Sequence, residues 1–165
     1  MRAAGAKRTG QQRTVEIAVD GVPAPGWKRR LQRFCTRVLR EAGADQWDLS
    51  LLLCDDPRMS DLNGRYRGKG GPTDVLSFPR ERAIRPHGRS LAAAAVKGDV
   101  AISLDTMRRN AMDYGVSEDE ELKRLVVHGI LHCAGMDHGA GKGRGMLSLQ
   151  RTLLSVLREE RIIEE

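Results

Sequence analysis

The chain has 165 residues, of which 30% are charged and 40% hydrophobic, and its formal net charge at pH 7 is +6. A single domain of this length buries roughly two thirds of the surface of its unfolded chain, so folding requires no disulfide or metal staple. No apolar run approaches the roughly 18 residues of a membrane span, and the basic start lacks the apolar stretch of a secretory signal. We therefore expect a cytoplasmic protein with no membrane partner.

The three cysteines are odd in number and form no C-x-x-C pair, which argues against a disulfide framework and against a thiolate zinc cage. They are Cys35, Cys54 and Cys133. The positive charge suits a polyanionic partner, although a basic chain whose charge serves only solubility is about as common.

The first half of the chain predicts two strands and two helices. Residues 1–13 contain four basic residues and no acidic one, which predicts a flexible basic tail before a single domain over residues 14–165. The alternation of branched residues in TVEIAV predicts the first strand. The apolar spacing in APGWKRRLQRFCTRVLREAG predicts an amphipathic helix that ends at Gly43. WDLSLLLCD predicts a second strand, and PRMSDLNGRYR opens with proline as helices often do.

The second half predicts two further strands followed by helices. TDVLSFP and GDVAISLD are the third and fourth strands, and the segment between them, residues 80–97, is long and basic. That segment is either a solvated variable loop or a contact surface for RNA. Helical patterns follow at 106–115, 117–135 and about 145–160, the second opening with a capping box of Ser117 and Glu120. Strands early and helices late predict an α+β domain, a small mixed sheet of about four strands with helices packed on it.

Three of the four histidines fall within HGILHCAGMDH, residues 128–138. Because residues four apart share one face of a helix, His128 and His132 should present their imidazoles side by side. Gly135 can adopt a left-handed conformation, end the helix and turn the chain so that His138 faces the same point. The spacing therefore predicts three converging imidazoles. The alternative, satisfied histidines in an apolar core, fits a lone histidine better than this spacing.

Neutral imidazole nitrogens suit zinc and its neighbours, and three protein ligands leave a fourth position for water or substrate, as in catalytic sites. A structural zinc needs a fourth protein ligand. Cys133 is a poor candidate because its place beside His132 turns it about 100° around the helix. The same offsets occur in the metzincin protease motif, in which a glutamate after the first histidine is the general base. Gly129 occupies that position here, which disfavours a peptidase.

HGILHCAGMDH together with LNGRYRGKGGPTDVLSFP, which begins at Leu62, resembles the YbeY family of bacterial endoribonucleases and rRNA maturation factors. The resemblance implies a zincin-like, metal-dependent hydrolase fold with one Zn²⁺ on His128, His132 and His138. It also implies catalytic roles for Arg67 and His128.

The same resemblance implies a single-strand-type endoribonuclease that acts on rRNA precursor, matures the 3′ end of small-subunit rRNA and serves ribosome quality control. The implied partners are RNA, the small ribosomal subunit and a ribosomal protein or GTPase. A non-catalytic ribosome assembly factor with a mainly structural metal site is the alternative function.

Several details stay open from the sequence. Met136 and the pair Cys133–Ala134 depart from the usual family pattern, and the segment after His138 contains Lys142 and Arg144 where acidic residues are common. Asp137 either orients a histidine or caps the turn. Asn63 and Tyr66 either shape the site or close a helix end, and we expect Asp74 to tie a turn to the sheet. With 4% aromatic residues, RNA binding should be electrostatic and salt-sensitive.

Overall fold

In a computed structural model of the chain, residues 12–80, 91, 95–138 and 143–164 are described, excluding the side chains of residues 143 and 144. The described residues form four strands and five helices: β1 (Arg13–Asp20), α1 (Lys28–Glu41), β2 (Gln46–Cys54), α2 (Asp56–Arg67), β3 (Val75–Pro79), β4 (Ala95–Ser103), α3 (Leu104–Tyr114), α4 (Glu118–Cys133) and α5 (Gly143–Val156).

The predicted α+β class and its mixed sheet are confirmed. The strand order is β1-β2-β4-β3, in which β1, β2 and β4 are parallel and β3 lies antiparallel at the edge. Parallel neighbours need crossover connections, and α1 supplies the one between β1 and β2. The alternating buried residues of β2, among them Leu49, Leu51 and Leu53, face the larger core.

Helix α4 is the centre of the molecule. It packs on β3 and β4 and contacts α1, α3 and α5. Eleven of its sixteen residues are buried, which explains its nearly continuous apolar sequence from Leu125 to Leu131. Its start is fixed by the predicted capping box, in which Ser117 Oγ accepts from the backbone N–H of Glu120 and the Glu120 carboxylate accepts from the N–H of Ser117.

Helix α2 lies on the other face of the sheet, over a smaller core formed by Cys54, Met59, Leu62, Leu76 and Ala101. The Asp55 side chain caps its start by accepting from the N–H of Arg58 at 2.9 Å, and Pro57 lies in its first turn. It ends at Gly68, whose φ of 63° is the left-handed conformation that glycine adopts without strain.

Several predicted boundaries require correction. Leu104 and Asp105, assigned to the fourth strand, begin α3 because the Ser103 side chain caps that helix, and the last helix ends at Val156 instead of about residue 160. Arg13, assigned to the tail, is the first residue of β1, because its strand pairs with β2 from Trp47 onward. Residues 95–97, assigned to the long connection, belong to β4, where they pair with β2 from Gln46 onward.

Some predictions fall on parts of the chain that are not described: residues 1–11 of the basic tail, residues 81–90 and 92–94 of the connection, and the positions of Lys142 and the Arg144 side chain. Within the described ranges, no helix is both long enough and apolar enough to cross a membrane.

Candidate metal centre

The site begins at the C-terminal end of α4, where His128 and His132 lie one turn apart on the same face. The helix stops immediately after Cys133 because Gly135 adopts a φ of 84°. The N–H of Gly135 donates to the His132 carbonyl at 2.9 Å, and the N–H of Met136 donates to the Leu131 carbonyl at 3.0 Å. The left-handed turn predicted at Gly135 is therefore present, and it reverses the chain toward His138.

The three histidines meet through their Nε2 atoms. His132 Nε2 lies 3.1 Å from His128 Nε2 and 3.0 Å from His138 Nε2, and the remaining pair is 3.3 Å apart. Two nitrogens bound to one tetrahedral zinc at about 2.0–2.1 Å are about 3.3 Å apart, so this triangle has the size of a single ion's ligand set. The group could hold one metal ion, and the exposed His138 leaves one side of it open to solvent.

Burial favours the neutral, metal-binding form of His128 and His132. Burial lowers the pKa of His128 below its ordinary 6.5; the hydrogen bond with Gln150 opposes this effect, and the charges of His138 and Arg124 reinforce it. Burial also lowers the pKa of His132, and its two histidine neighbours add to the decrease. Both rings therefore favour the neutral form more than a free imidazole does.

Gln150 is part of this site, and the sequence reasoning missed it. It lies on α5, is 9% exposed, and its Oε1 is 3.1 Å from Nδ1 of His128. The sequence feature that could have indicated Gln150 is its place on the apolar stripe of the last helix, next to Leu149 and about one turn before Leu153. A polar residue on such a stripe needs a hydrogen-bond partner.

The residues between and beside the histidines have structural roles. Cys133 points into the sheet, with its Sγ 3.7 Å from the Asp99 carbonyl oxygen, and burial raises the pKa of its thiol to about 12. It lies outside the group of three histidines that could hold a metal, which agrees with the expectation from its angular position. Asp137 Oδ1 accepts from the N–H of His138 at 2.7 Å, which favours its reading as the cap of the turn.

The structure does not bring Arg67 into contact with the histidines. Arg67 is the last residue of α2 and is exposed, and within the described ranges it has neither an ion pair nor a hydrogen bond from its side chain. Its neighbours close the helix end, since Asn63 Nδ2 donates to the Gly71 carbonyl at 2.9 Å and Tyr66 packs edge-on against Phe78, with ring centroids 5.0 Å apart.

Asp74 ties the start of β3 to the helices and anchors a polar network that sequence reasoning did not foresee. Its Oδ1 accepts from the N–H of Val75, while its Oδ2 lies 3.2 Å from Asn110 Nδ2 and 3.4 Å from Arg124 Nη2. Arg124 also donates to both carboxylate oxygens of the buried Glu121, at 2.7 and 2.8 Å. This network lies one helical turn before His128 on α4.

Comparison with known proteins shows the family to which the chain belongs. The family model described as "Endoribonuclease YbeY" matches residues 14–158. A protein of that name from Treponema denticola is 43% identical over 126 residues, which cover 76% of this chain and 80% of the relative. Another, from Treponema pallidum (strain Nichols), is 37% identical over 142 residues, covering 86% and 88%. The solution structure of TM1509 from Thermotoga maritima superimposes with a TM-score of 0.63 at 20% identity, covering 92% of this chain and 97% of that one, and therefore supports the fold alone.

Fold and site together define a zincin-like α+β protein with an open group of three histidines at the end of its central helix. The chain belongs to the YbeY endoribonuclease family.

Proposed function

We propose that this protein is a zinc-dependent, single-strand-type endoribonuclease that acts in the cytoplasm on rRNA precursor. Its role would be maturation of the 3′ end of small-subunit rRNA and ribosome quality control. Family membership makes the chain an RNA-cleaving hydrolase. The observation that carries the zinc requirement is the convergence of three Nε2 atoms to within 3.3 Å of one another.

The chemistry assigned to each residue follows from its charge and surroundings. His128, His132 and His138 would hold one zinc ion, which when bound supplies Lewis acidity toward a phosphodiester. Because three neutral imidazoles would not offset the charge of a bound zinc ion, the zinc-loaded site would be positive and would favour an anionic substrate. Arg67 has an exposed and unpaired guanidinium within the described ranges, and its planar fork would bind phosphate oxygens as negative charge develops there.

We further propose that the small ribosomal subunit and a ribosomal protein or GTPase are partners. The net charge of +6 supports attraction to RNA, whose phosphates dominate affinity in basic proteins of this kind. Binding to structured RNA should therefore weaken steeply as salt is raised.

The test is cleavage of a small-subunit rRNA precursor fragment by purified protein, with zinc content and folding measured on the same samples. His132→Ala should lose the metal and cleavage together. Arg67→Ala should keep fold and metal and lose most cleavage. Arg65→Ala is the matched control, because this exposed arginine on the same helix pairs with Asp61 at 2.8 Å instead of facing solvent unpaired.

Cleavage that persists in His132→Ala would assign the activity to a contaminating nuclease. A folded, zinc-loaded wild-type protein that binds rRNA without cutting it would favour the non-catalytic assembly factor.

A further inference from the structure

Among the described side chains, Gln150 joins α5 to the metal centre on α4 by a hydrogen bond. Gln150 lies in a stripe whose other buried members are Met146, Leu149 and Leu153, with exposures of 0%, 4% and 1%. Burial of an amide in such surroundings is unfavourable unless it is hydrogen-bonded. The described partner of Gln150 is the ring of His128, at 3.1 Å between Oε1 and Nδ1.

The geometry of the three histidines fixes which atom must carry the proton in that contact. Nε2 of His128 points at Nε2 of His132 and of His138, so Nε2 is the atom that would bind a metal and must present its lone pair. The single proton of the neutral ring must then be on Nδ1, where it needs an acceptor. Of the two ends of the Gln150 amide, only the oxygen accepts.

In water a neutral imidazole prefers its proton on Nε2, which is the wrong tautomer for this site. We infer that Gln150 is a positioning residue that holds the proton of His128 on Nδ1 and thereby presents Nε2 to the metal. This inference rests on the proposed metal site and adds to it a residue that has no direct contact with the ion.

The chemistry of the amide distinguishes Gln150 from the carboxylates that often support metal-bound histidines. An amide oxygen accepts the proton without adding charge, whereas a carboxylate at the same place would make the ring a stronger ligand. Gln150→Glu should therefore retain the acceptor and bind metal at least as tightly as the wild type. Gln150→Leu keeps the approximate volume and removes the acceptor.

The first measurement is zinc affinity by competition with a chromophoric chelator. Loss of a hydrogen bond that orients a ligand typically costs about 10–100-fold in metal affinity, and we expect that loss for Gln150→Leu. Gln32→Leu is the matched control, because this glutamine on α1 donates its hydrogen bond to the Val15 carbonyl. The control should bind zinc as the wild type does.

The second measurement reads the tautomer directly in metal-free protein. Imidazole ¹⁵N shifts, assigned with His128→Ala and recorded at a pH where the rings are neutral, should report Nδ1–H for His128 in the wild type and in Gln150→Glu. In Gln150→Leu the proton should move toward Nε2. This readout involves no RNA, so a protein that binds metal without cutting RNA would overturn the proposed function and leave this inference standing.

An unchanged tautomer and unchanged zinc affinity in folded Gln150→Leu would overturn the inference, as would a loss of stability alone, which a purely structural glutamine would produce. Should Gln150→Leu fail to fold, Gln150→Glu decides: weaker zinc binding than wild type contradicts the assignment.

Discussion

Gly129 and Val100 are in such close contact that no side chain fits between them. A Cβ atom placed on Gly129 would lie 2.6 Å from Cγ1 and 3.1 Å from Cγ2 of Val100; the first distance is shorter than real Cβ contacts, and the second is tighter than most of them. The hydrogen of Gly129 therefore allows α4 to approach β4, and this approach sets the depth at which His128 lies against the sheet. A glutamate at this position, as in metzincins, would collide with β4.

We expect Gly129→Ala to destabilise the fold by about 1–3 kcal/mol, as overpacking of a well-filled core does. Val100→Ala alone should cost about 2 kcal/mol through lost methyl burial. The double variant should cost clearly less than the sum, because the shortened Val100 makes room for the new methyl group. Chemical denaturation of the four proteins measures this coupling; costs that add to within about 0.5 kcal/mol would contradict direct steric contact.

Much of this arrangement was predictable from the sequence, because it depends on local patterns. The spacing of His128 and His132, the turn at Gly135 and the capping box at Ser117 each act within about ten residues. Gln150 and the partners of Asp74 were missed because they meet the site through the packing of separate helices. The packing reason for Gly129 was missed as well, since only the structure places Val100 against it.

Substitution of Cys133 tests whether the metal ligands are the three histidines alone. Its thiol is buried at 1% exposure, its pKa is raised to about 12, and a Cβ on Gly98 would come within 2.6 Å of its sulfur. We expect Cys133→Ala to retain one equivalent of zinc, whereas His132→Ala loses it, as measured by metal analysis after gel filtration. In the native wild type, an aromatic disulfide reagent at pH 8 should leave this thiol unlabelled until the protein is unfolded. Loss of zinc from a folded Cys133→Ala variant would mean that the sulfur is a ligand.

The lowered pKa of the Asp56 carboxyl makes the free energy of unfolding depend on pH in the acid range. Burial acts to raise the pKa of its carboxyl, but hydrogen bonds from Ser103 and Thr106 and the charge of Arg109 lower it below the ordinary 3.8 overall. The unfolded chain therefore binds more protons than the folded one in the window below pH 3.8. The stabilising contribution is complete above this window and decreases as the pH falls through the folded-state pKa.

Asp56→Asn should reduce the slope of unfolding free energy against pH in that window. It should also cost about 1–3 kcal/mol at pH 7 through the lost charge-assisted hydrogen bond to Arg109. Asp61→Asn is a suitable control, because its carboxylate pairs with Arg58 and Arg65 on the exposed surface of α2. Parallel pH profiles for wild type and Asp56→Asn would contradict the assignment.

Lys123 and Asp119 form a buried ion pair that fastens the C-terminal segment to α4. Their side chains are 5% and 3% exposed, with Nζ and Oδ2 3.3 Å apart. Lys123 also donates to the carbonyls of Arg158 at 3.1 Å and Glu160 at 2.6 Å, and Asp119 Oδ1 accepts from the N–H groups of Ile162 and Ile163. The pair thus fills most of its hydrogen-bonding capacity with backbone groups of the segment after α5.

Removal of Lys123 leaves the buried Asp119 carboxylate with only the exposed Arg161, whose Nη1 is 3.7 Å from its Oδ2, as a cationic partner. Breaking a buried ion pair typically costs about 3–5 kcal/mol, and we expect the low end of that range here. We expect Lys123→Met to lower the free energy of unfolding by about that amount, whereas Lys69→Met, at an exposed lysine after α2, should have little effect. Hydrogen exchange at the amides of Ile162 and Ile163 should accelerate in Lys123→Met, because the segment then loses the two carbonyl contacts of Lys123 and opens more often. Unchanged exchange at those two amides, together with lower stability, would mean that Lys123 supports the helix alone and leaves the C-terminal segment anchored by its apolar contacts.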